Sequence, residues 1–465
     1  MPNPSLEKWR FLFKRPWIIA AGLGSIIGML VLGDMPLASD ALAYHQEATR
    51  MVSGDFRGPF YYPPGMTSYL AAFFFFGGRS LFVSRLAIIL TVVLTVCFTE
   101  KLTGLLTGDQ RLASRAGLIA ALYPPVLMLA GQPYSQHVAM LCVLATCFFW
   151  LKALKKRTFI YFCLTGLALG VGILTRPSFA AAGLIFAVSG VVTFVSSLAG
   201  AGTREKKRLL FLLSGACVTV ATLSLVIFPA IRHNIKAGAG PVISTNNERN
   251  FLLGNCPHTP LYRTDHLAQR PLKSLPEEVR DYLRKFYGQG FSSPQARKAM
   301  RREAFHYIRS NPDHFLLRTL NRIRAFWGFD YLASRRIQVW LGASTVTIAP
   351  LLIVEAGGYF LVMFLAIIGL FDGDLWLRKK GDLFFLLGLI LCYQLPYCVA
   401  FSGGTYHFPV MGLLFPFASL GWGRVASRWR ERKWRALLCL PKGVYAVWAV
   451  FTIIQIEYAF FTLLT

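Results

Sequence analysis

The chain has 465 residues, 55% of them hydrophobic and only 15% charged, with a mean hydropathy of +0.49. A soluble chain of this length carries about 25% charged residues, so composition excludes a soluble multidomain protein and leaves an all-α polytopic membrane protein. The net charge of +27, from 49 basic and 22 acidic residues, comes with no nucleic-acid recognition motif, and the basic residues sit between apolar runs, so no nucleic acid is expected as a partner.

The first apolar run, Trp17 to Leu32, follows Lys8, Arg10, Lys14 and Arg15. A signal peptide looks similar, and Ala41-Leu42-Ala43 imitates a cleavage site. That site falls inside the next expected helix and many more spans follow, so the run is read as an uncleaved span with a cytoplasmic N-terminus.

The stretch from Asp34 to Gly78 comes next and organises the rest. Ser39 is expected to cap a helix beginning at Asp40. On that helix Asp40, Tyr44 and Glu47 stand at i, i+4 and i+7, so two carboxylates and a phenol share one face. A polar turn over Ser53 to Gly58 follows, and Tyr62-Pro63-Pro64-Gly65 then halts the chain before a short phenylalanine-rich helix. Amphipathic helices at a membrane surface suit a lipid-borne substrate.

Further runs of the length that crosses a bilayer lie at about 80–100, 114–131, 137–153, 158–174, 179–199, 208–230, 346–371, 382–401, 408–424 and 442–464, for about eleven transmembrane helices in all. Threading them alternately puts Lys101/Arg111/Arg115, Lys152 to Arg157, Arg204 to Arg208, Arg378 to Lys380 and the run Arg424 to Lys442 on the cytoplasmic side. The short outer turns near Gln132, Thr175 and Gly403 carry almost no lysine, so the positive-inside rule is met. This divides the chain into an N-terminal transmembrane module (1–230) holding the first outer loop (34–79), a mostly helical extracytoplasmic loop (231–345) and a C-terminal transmembrane module (346–465).

The stretch 232–340 of that loop has 19 Lys+Arg against 8 Asp+Glu. Long loops escape the positive-inside rule, so this excess needs another cause. Helices are expected at about 275–287, 294–309 and 312–327. The last has Asn311 as cap, Pro312 at its first position and Asp313 on the dipole. Its Arg318, Arg322, Phe326 and Trp327 suggest a basic, aromatic-edged helix at the lipid surface.

Transfer of a sugar from a phosphate-linked donor to a hydroxyl needs a carboxylate to take the proton and cations to steady the departing phosphate. Asp40 is the leading base, with Glu47 in support and Asp34 as its rival. For the phosphate, Arg176 in Leu174-Thr175-Arg176-Pro177 is the first candidate, with His407 in Tyr406-His407-Phe408-Pro409 expected at the same membrane level. Arg232 and His233, ending the span before the long loop, are weaker cationic candidates. Glu355 and Glu457 fall in or near spans, where a carboxylate is costly unless paired or protonated. No residue set has metal-ligand spacing, and no Walker loop or dinucleotide fingerprint appears. A donor other than a nucleotide sugar fits this.

The early Asp, the Tyr four residues on, and Tyr-x-Pro-Pro-Gly before a short apolar helix resemble the glycosyltransferase C superfamily. The similarity is to its protein O-mannosyltransferase and aminoarabinose-transferase branch. Leu174 to Pro177, Gly254-Asn255, Glu303 to Pro312 and the late Tyr406 to Pro409 follow in the order that family has them. The resemblance implies an inverting, membrane-embedded transferase that uses a polyprenyl-phosphate-linked sugar. It puts the catalytic role on Asp40 and the arginine of its Leu-Thr-Arg-Pro motif on Arg176; from their places around Asp40, Tyr44, Tyr62, Asp34 and Glu47 are expected to support the site or bind the acceptor. The chain departs from the pattern in three places: Ala41 stands where many members have a second acid, His407 where arginine is common, and Gln136 where Ser-Glu opens a span. These departures leave open a divalent metal as cofactor. The expected setting is the bacterial inner membrane, with the site facing outward and an acceptor that is a lipid, glycan or protein. The length, without a large C-terminal soluble domain, argues against an oligosaccharyltransferase. Two alternatives stay open: a surface-polysaccharide ligase or polymerase, marked by paired arginines on a pyrophosphate, and a transporter or flippase of lipid-linked sugars, marked by inverted repeats.

Overall fold

The computed structural model describes residues 15–199, 203–264, 267, 272–287, 290, 292–431 and 440–460. Lys8, Arg10, Lys14 and much of the basic run before Lys442 lie outside the described residues. The fold is 79% helical, with no strand among the described residues.

The chain opens with α1 (Pro16–Ser25), prolonged by a π turn over Ile26–Val31. Then come α2 (Asp40–Val52) and α3 (Pro64–Gly77), which pack on each other. The apolar series α4 (Leu81–Thr107), α5 (Gln110–Ala121), α6 (Ser135–Lys156) and α7 (Phe159–Thr175) follows. A 3-10 turn over Pro177–Ala182 leads into α8 (Gly183–Ala199), and α9 (Thr203–Lys236) ends this half. The long loop forms α10 (Asn247–Gly254), α11 (Glu277–Tyr287), α12 (Pro294–Ser310), α13 (Pro312–Phe326) and α14 (Leu332–Leu341). The last part contains α15 (Thr345–Leu370), α16 (Gly373–Val399), α17 (Phe415–Arg430) and α18 (Lys442–Ala459).

Five helices are long and apolar enough to cross a membrane: α4, α6, the Leu209–Lys236 part of α9, α15 and α16. Shorter apolar helices cover Pro16–Val31, Phe159–Thr175 and Pro177–Val192. The chain is an integral membrane protein. Two expected spans are not continuous helices. The one at 114–131 stops at Ala121 and restarts as a single turn, Pro124–Met128. The one at 408–424 is divided after Met411. Both breaks lie at prolines, which lack the N–H a continuing helix needs and clash with the preceding turn.

The three helices expected in the long loop form close to their expected limits. Two of them, α11 and α12, form with α10 and the segment after it a separate apolar cluster that includes Leu252, Leu253, Cys256, Val279, Leu283 and Met300. Arg318 and Arg322 do not face lipid; they are 1% and 0% exposed. Arg322 donates from Nη2 to the Gly254 carbonyl oxygen (2.5 Å) and Asn255 Oδ1 (3.0 Å). Its Nη1 donates to the carbonyl oxygens of Val399 (3.0 Å) and Cys398 (3.3 Å), the last carbonyls of α16. A helix C-terminus leaves such oxygens without partners and carries partial negative charge. One buried guanidinium therefore ties the long loop to α16. Asn255 Nδ2 adds a bond to the Val399 carbonyl (2.9 Å).

A Cβ at Gly254 would collide with the Ala400 carbonyl oxygen, so this contact needs a residue without a side chain. Gly254→Ala is expected to destabilise the protein by about 1–3 kcal/mol, the usual cost of overpacking. Thermal unfolding of the purified protein checks this; an unchanged melting temperature would show that the contact is not tight.

Candidate functional site

The link between α1 and α2 is irregular, yet its backbone is held. Arg85 of α4 donates to the carbonyl oxygens of Gly33 and Met35 (2.9 Å for Met35) and to that of Gly131 (3.2 Å). Gln132 Nε2 donates to the Pro36 carbonyl oxygen (3.2 Å), and the Tyr134 hydroxyl to that of Ala38 (3.5 Å). The start of α2 is thereby fixed against the segment 131–134. Asp34 itself stays exposed on this link.

The helix begins at Asp40 as expected, but not by the expected cap. Ser39 has φ 52° and ψ −133°, and its hydroxyl makes no cap hydrogen bond to the first turn. Such a conformation is rare for a residue with a side chain and costs about 1–3 kcal/mol. It turns the chain sharply, so that the Asp40 side chain points inward from the first position of the helix.

Asp40 is half-buried. Burial raises its carboxyl above the ordinary aspartate range; the charge of Arg176, the Tyr62 hydroxyl and the charge of Arg336 pull it partly back. One turn on, Tyr44 is buried, with its ring edge against Tyr62 at 5.5 Å between centroids. Burial, and then the neighbouring Asp40 charge, hold the Tyr44 hydroxyl protonated. Glu47, a further turn along, is half-buried and accepts a hydrogen bond from Thr67 Oγ1 (3.2 Å). Burial raises its carboxyl too, against the Thr67 bond and the charge of Arg50.

Arg176 follows the last residue of α7 and lies across from Asp40. Its Nη1 donates to the Tyr397 hydroxyl (3.2 Å), which also meets Ser178 Oγ (2.9 Å) and the Tyr393 hydroxyl (3.2 Å). Its guanidinium stands 5.7 Å from the centre of the Tyr406 ring. Its Nε is buried without a hydrogen-bond partner. A guanidinium held by hydroxyls and a ring face keeps its full charge, because no carboxylate neutralises it at contact distance among the described ion pairs.

What joins the two halves of the site is Gly65. A Cβ there would lie 2.5 Å from the Thr175 amide nitrogen and 2.6 Å from the Leu174 carbonyl carbon. The Tyr-Tyr-Pro-Pro-Gly turn therefore seats directly on Leu174-Thr175, the residues that present Arg176.

Other expected members lie elsewhere. His407 is fully buried, with Nδ1 2.7 Å from the Phe326 carbonyl oxygen and Nε2 3.2 Å from Asp330 Oδ2. Both ring nitrogens are occupied, and the ring stacks on Trp327 and Tyr359. A phosphate contact would require it to give up one of these bonds. His233 Nε2 is 2.8 Å from the Gly58 carbonyl oxygen and its ring packs on Phe56 and Phe60, so it braces the first loop. Arg232 is exposed. Glu355 is fully buried and accepts the Ala333 and Ser334 amides (3.0 and 2.8 Å) and the Ser334 hydroxyl (2.7 Å) at the start of α14. Glu457 pairs with Arg324 at 2.8 Å.

The sequence reading did not single out Tyr397 and Tyr393, although their i, i+4 spacing near the end of an apolar span is a usable signal. It also passed over Arg336, which nothing distinguishes among the many basic residues of its loop.

With this geometry in view, comparison with known proteins is informative. A family model described as dolichyl-phosphate-mannose-protein mannosyltransferase matches residues 62–229. That range begins at Tyr62 and includes Gly65 and Arg176. No curated protein matches the chain. Among solved structures, the archaeal oligosaccharyltransferase AglB from Archaeoglobus fulgidus, in complex with an inhibitory peptide and a dolichol-phosphate, is similar with a TM-score of 0.50 at 15% identity. The match covers 97% of this chain and 55% of that one, so this chain spans little more than half of its length. ArnT from Cupriavidus metallidurans, bound to undecaprenyl phosphate, is matched with a TM-score of 0.40 at 16% identity, over 90% of this chain and 79% of that one. The resemblance to the glycosyltransferase C superfamily holds.

The Gly65 contact generates a prediction. Gly65→Ala is expected to lower stability by about 1–3 kcal/mol, whereas Gly183→Ala, whose Cβ meets nothing within 4 Å, is expected to be neutral. Parallel melting curves decide the matter; equal melting points for the two variants would refute a tight seat at Thr175.

Proposed function

We propose that this protein is an inverting membrane glycosyltransferase, moving one sugar from a polyprenyl-phosphate donor to an acceptor outside the cytoplasm. Asp40 is its general base and Arg176 holds the donor phosphate. The observation that carries this reading is the meeting of Asp40 with Arg176 at one half-buried place, although 135 residues separate them in the chain. The family match across Tyr62 and Arg176 supports it, as does the fold shared with a protein solved with a dolichol-phosphate.

In the reaction the acceptor hydroxyl attacks the anomeric carbon as the bond from that carbon to the phosphate oxygen breaks. The hydroxyl proton passes to Asp40. The electron pair leaves on the polyprenyl phosphate, whose charge Arg176 meets with charge-assisted hydrogen bonds. A single displacement inverts the anomeric centre. Tyr44 and Tyr62 shape the carboxylate's surroundings, and Glu47, two turns along the same face, suits the acceptor. Eleven spans with the N-terminus inside would put the first and long loops on the outer side of a bacterial inner membrane, at the depth where a carrier lipid holds its phosphate. The acceptor is a lipid, glycan or protein.

Asp40→Asn keeps the shape and removes the base. Transfer measured with purified enzyme and lipid-linked donor is expected to fall about 10²–10⁴-fold, with expression and donor binding retained, while Asp34→Asn keeps substantial activity. The reverse pattern would move the base to Asp34. The pH profile offers an independent check. Asp40 acts only when ionised and burial raises its carboxyl, so activity should fall on acidification at a pH above the ordinary aspartate value of about 3.9. Tyr62→Phe removes a group that lowers that value, so its acid limb should move to still higher pH. A limb that moves down or stays put in Tyr62→Phe would contradict the assignment.

A further inference from the structure

The end of the helix bundle away from Asp40 carries a second gathering of guanidiniums. Helix α4 measures the separation. Arg85, near its start, holds the backbone of the first loop, and Thr107, at its end, leads into Asp109 and α5. A stretch of helix that long spans about 30 Å. We propose that a groove at this far end, lined by Arg111, Arg115 and Arg430, binds the phosphate of an anionic phospholipid. Under the topology read from the sequence, that lipid belongs to the cytoplasmic leaflet. The site is independent of the function proposed above.

Two cavities adjoin here and share Ser427. One, of about 330 Å³, is lined by the three arginines together with Asp109, Leu112 and Trp422, among others. Its neighbour, of about 540 Å³, sets Arg424 and Arg428 beside Phe371 and Leu440. Both fall within the range of about 300–1,000 Å³ that small-molecule sites occupy.

The smaller cavity is built. Arg115 crosses from α5 to α17, where its Nη1 donates to the Ser419 carbonyl oxygen (3.3 Å). Ser419 Oγ donates back to the Leu112 carbonyl oxygen (2.8 Å). A Cβ on Gly423 would lie 2.7 Å from the same Nη1, so α17 leaves the guanidinium its place by lacking a side chain there. Arg424 is engaged elsewhere: it pairs with Asp372 (2.9 Å) and donates to the Phe371 carbonyl oxygen (3.3 Å). Arg111 and Arg430 are exposed, and their side chains have no hydrogen bond or ion pair among the described residues.

Charge then asks for an anion. Three guanidiniums line the cavity with one carboxylate, Asp109, which already caps α5 by accepting the Arg111 and Leu112 amides (2.7 and 3.4 Å). The nearest other acids lie outside the lining: Glu431 follows α17, and Asp372 is held by Arg424. An orientation signal needs basic residues in these loops but not their convergence on one cavity. Depth points to a lipid. Trp422 and Trp429, exposed seven residues apart on α17, are of the type that settles at the head-group layer. Basic pockets between membrane helices on this side are where anionic head groups bind, and the planar arginine fork fits phosphate oxygens. Leu112 and Trp422 in the same wall suit the apolar part of a lipid.

The test is native mass spectrometry of the full chain titrated with phosphatidylglycerol, with phosphatidylcholine of the same acyl chains, and with inorganic phosphate as competitor. The parent is expected to hold phosphatidylglycerol about tenfold more tightly than phosphatidylcholine. Arg111→Gln and Arg430→Gln should each cut that preference about fivefold, the scale of one basic residue at an anionic surface, and together remove it. Lys156→Gln, exposed at the end of α6, should keep it. The single variants decide the matter if the double variant does not fold. Equal binding of the two lipids by the parent, or an undiminished preference in Arg111→Gln and Arg430→Gln, overturns the proposal. A loss in Lys156→Gln as large as in Arg430→Gln shows diffuse charge and overturns a built site. Displacement of phosphatidylglycerol by inorganic phosphate overturns the lipid and makes the ligand a soluble phosphate.

Discussion

The site depends on a missing side chain. Gly65 lets the Tyr-Tyr-Pro-Pro-Gly turn sit against the backbone of Leu174 and Thr175, next to Arg176. It sets the height of α3, on which α2 packs, and so the position of Asp40 relative to Arg176. Prolines on either side restrict the turn before it arrives, since Pro63 and Pro64 have φ already fixed. The Ser39 conformation then aims the carboxylate. One contact made without a Cβ and one strained residue accompany the meeting of a carboxylate and a guanidinium from distant parts of the chain.

Much of the basic excess of the long loop is internal. Arg318 donates to the carbonyl oxygens of Cys256 (3.2 Å) and Thr259, Arg322 closes the end of α16, and Arg324 pairs with Glu457. These are guanidiniums used as multi-pronged donors to backbone oxygens that helix ends and irregular loops leave unmatched. Such bonds are strong where water is absent, and removing one partner strands several acceptors at once. The loop is thus held less by its apolar cluster alone than by arginines that reach across to the membrane helices.

This explains what could and could not be read from the sequence. The loop helices were legible because proline marks their starts and apolar spacing marks their faces, as at Pro294 and Pro312, although the Asn311 side chain expected to cap the last makes no cap hydrogen bond. The first-loop helix was legible from its amphipathic spacing and not from its start, since Ser39 makes no cap, and the Asp40–Tyr44–Glu47 face follows from the period of 3.6. Burial of Arg318 and Arg322 was not, because an arginine on an amphipathic face reads alike whether its partner is a lipid head group or a backbone carbonyl far along the chain. The spans at 114–131 and 408–424 misled in another way: their hydropathy is that of a span, but the helix restarts at Pro124 and at Phe415-Pro416 while the chain stays buried. His407 could not be assigned its partners, since Asp330 and Phe326 lie some 80 residues away in sequence.

Helix α16 touches both sides of this arrangement. Its last carbonyls are clasped by Arg322 and Asn255 of the long loop, while Tyr393 and Tyr397, within its final two turns, ground Arg176. The helix is kinked at Lys379 and carries Pro396 in its last turn, so both attachments fall on the stretch beyond the kink. The long loop and Arg176 are thereby tied to one short stretch of chain, with α2 not between them.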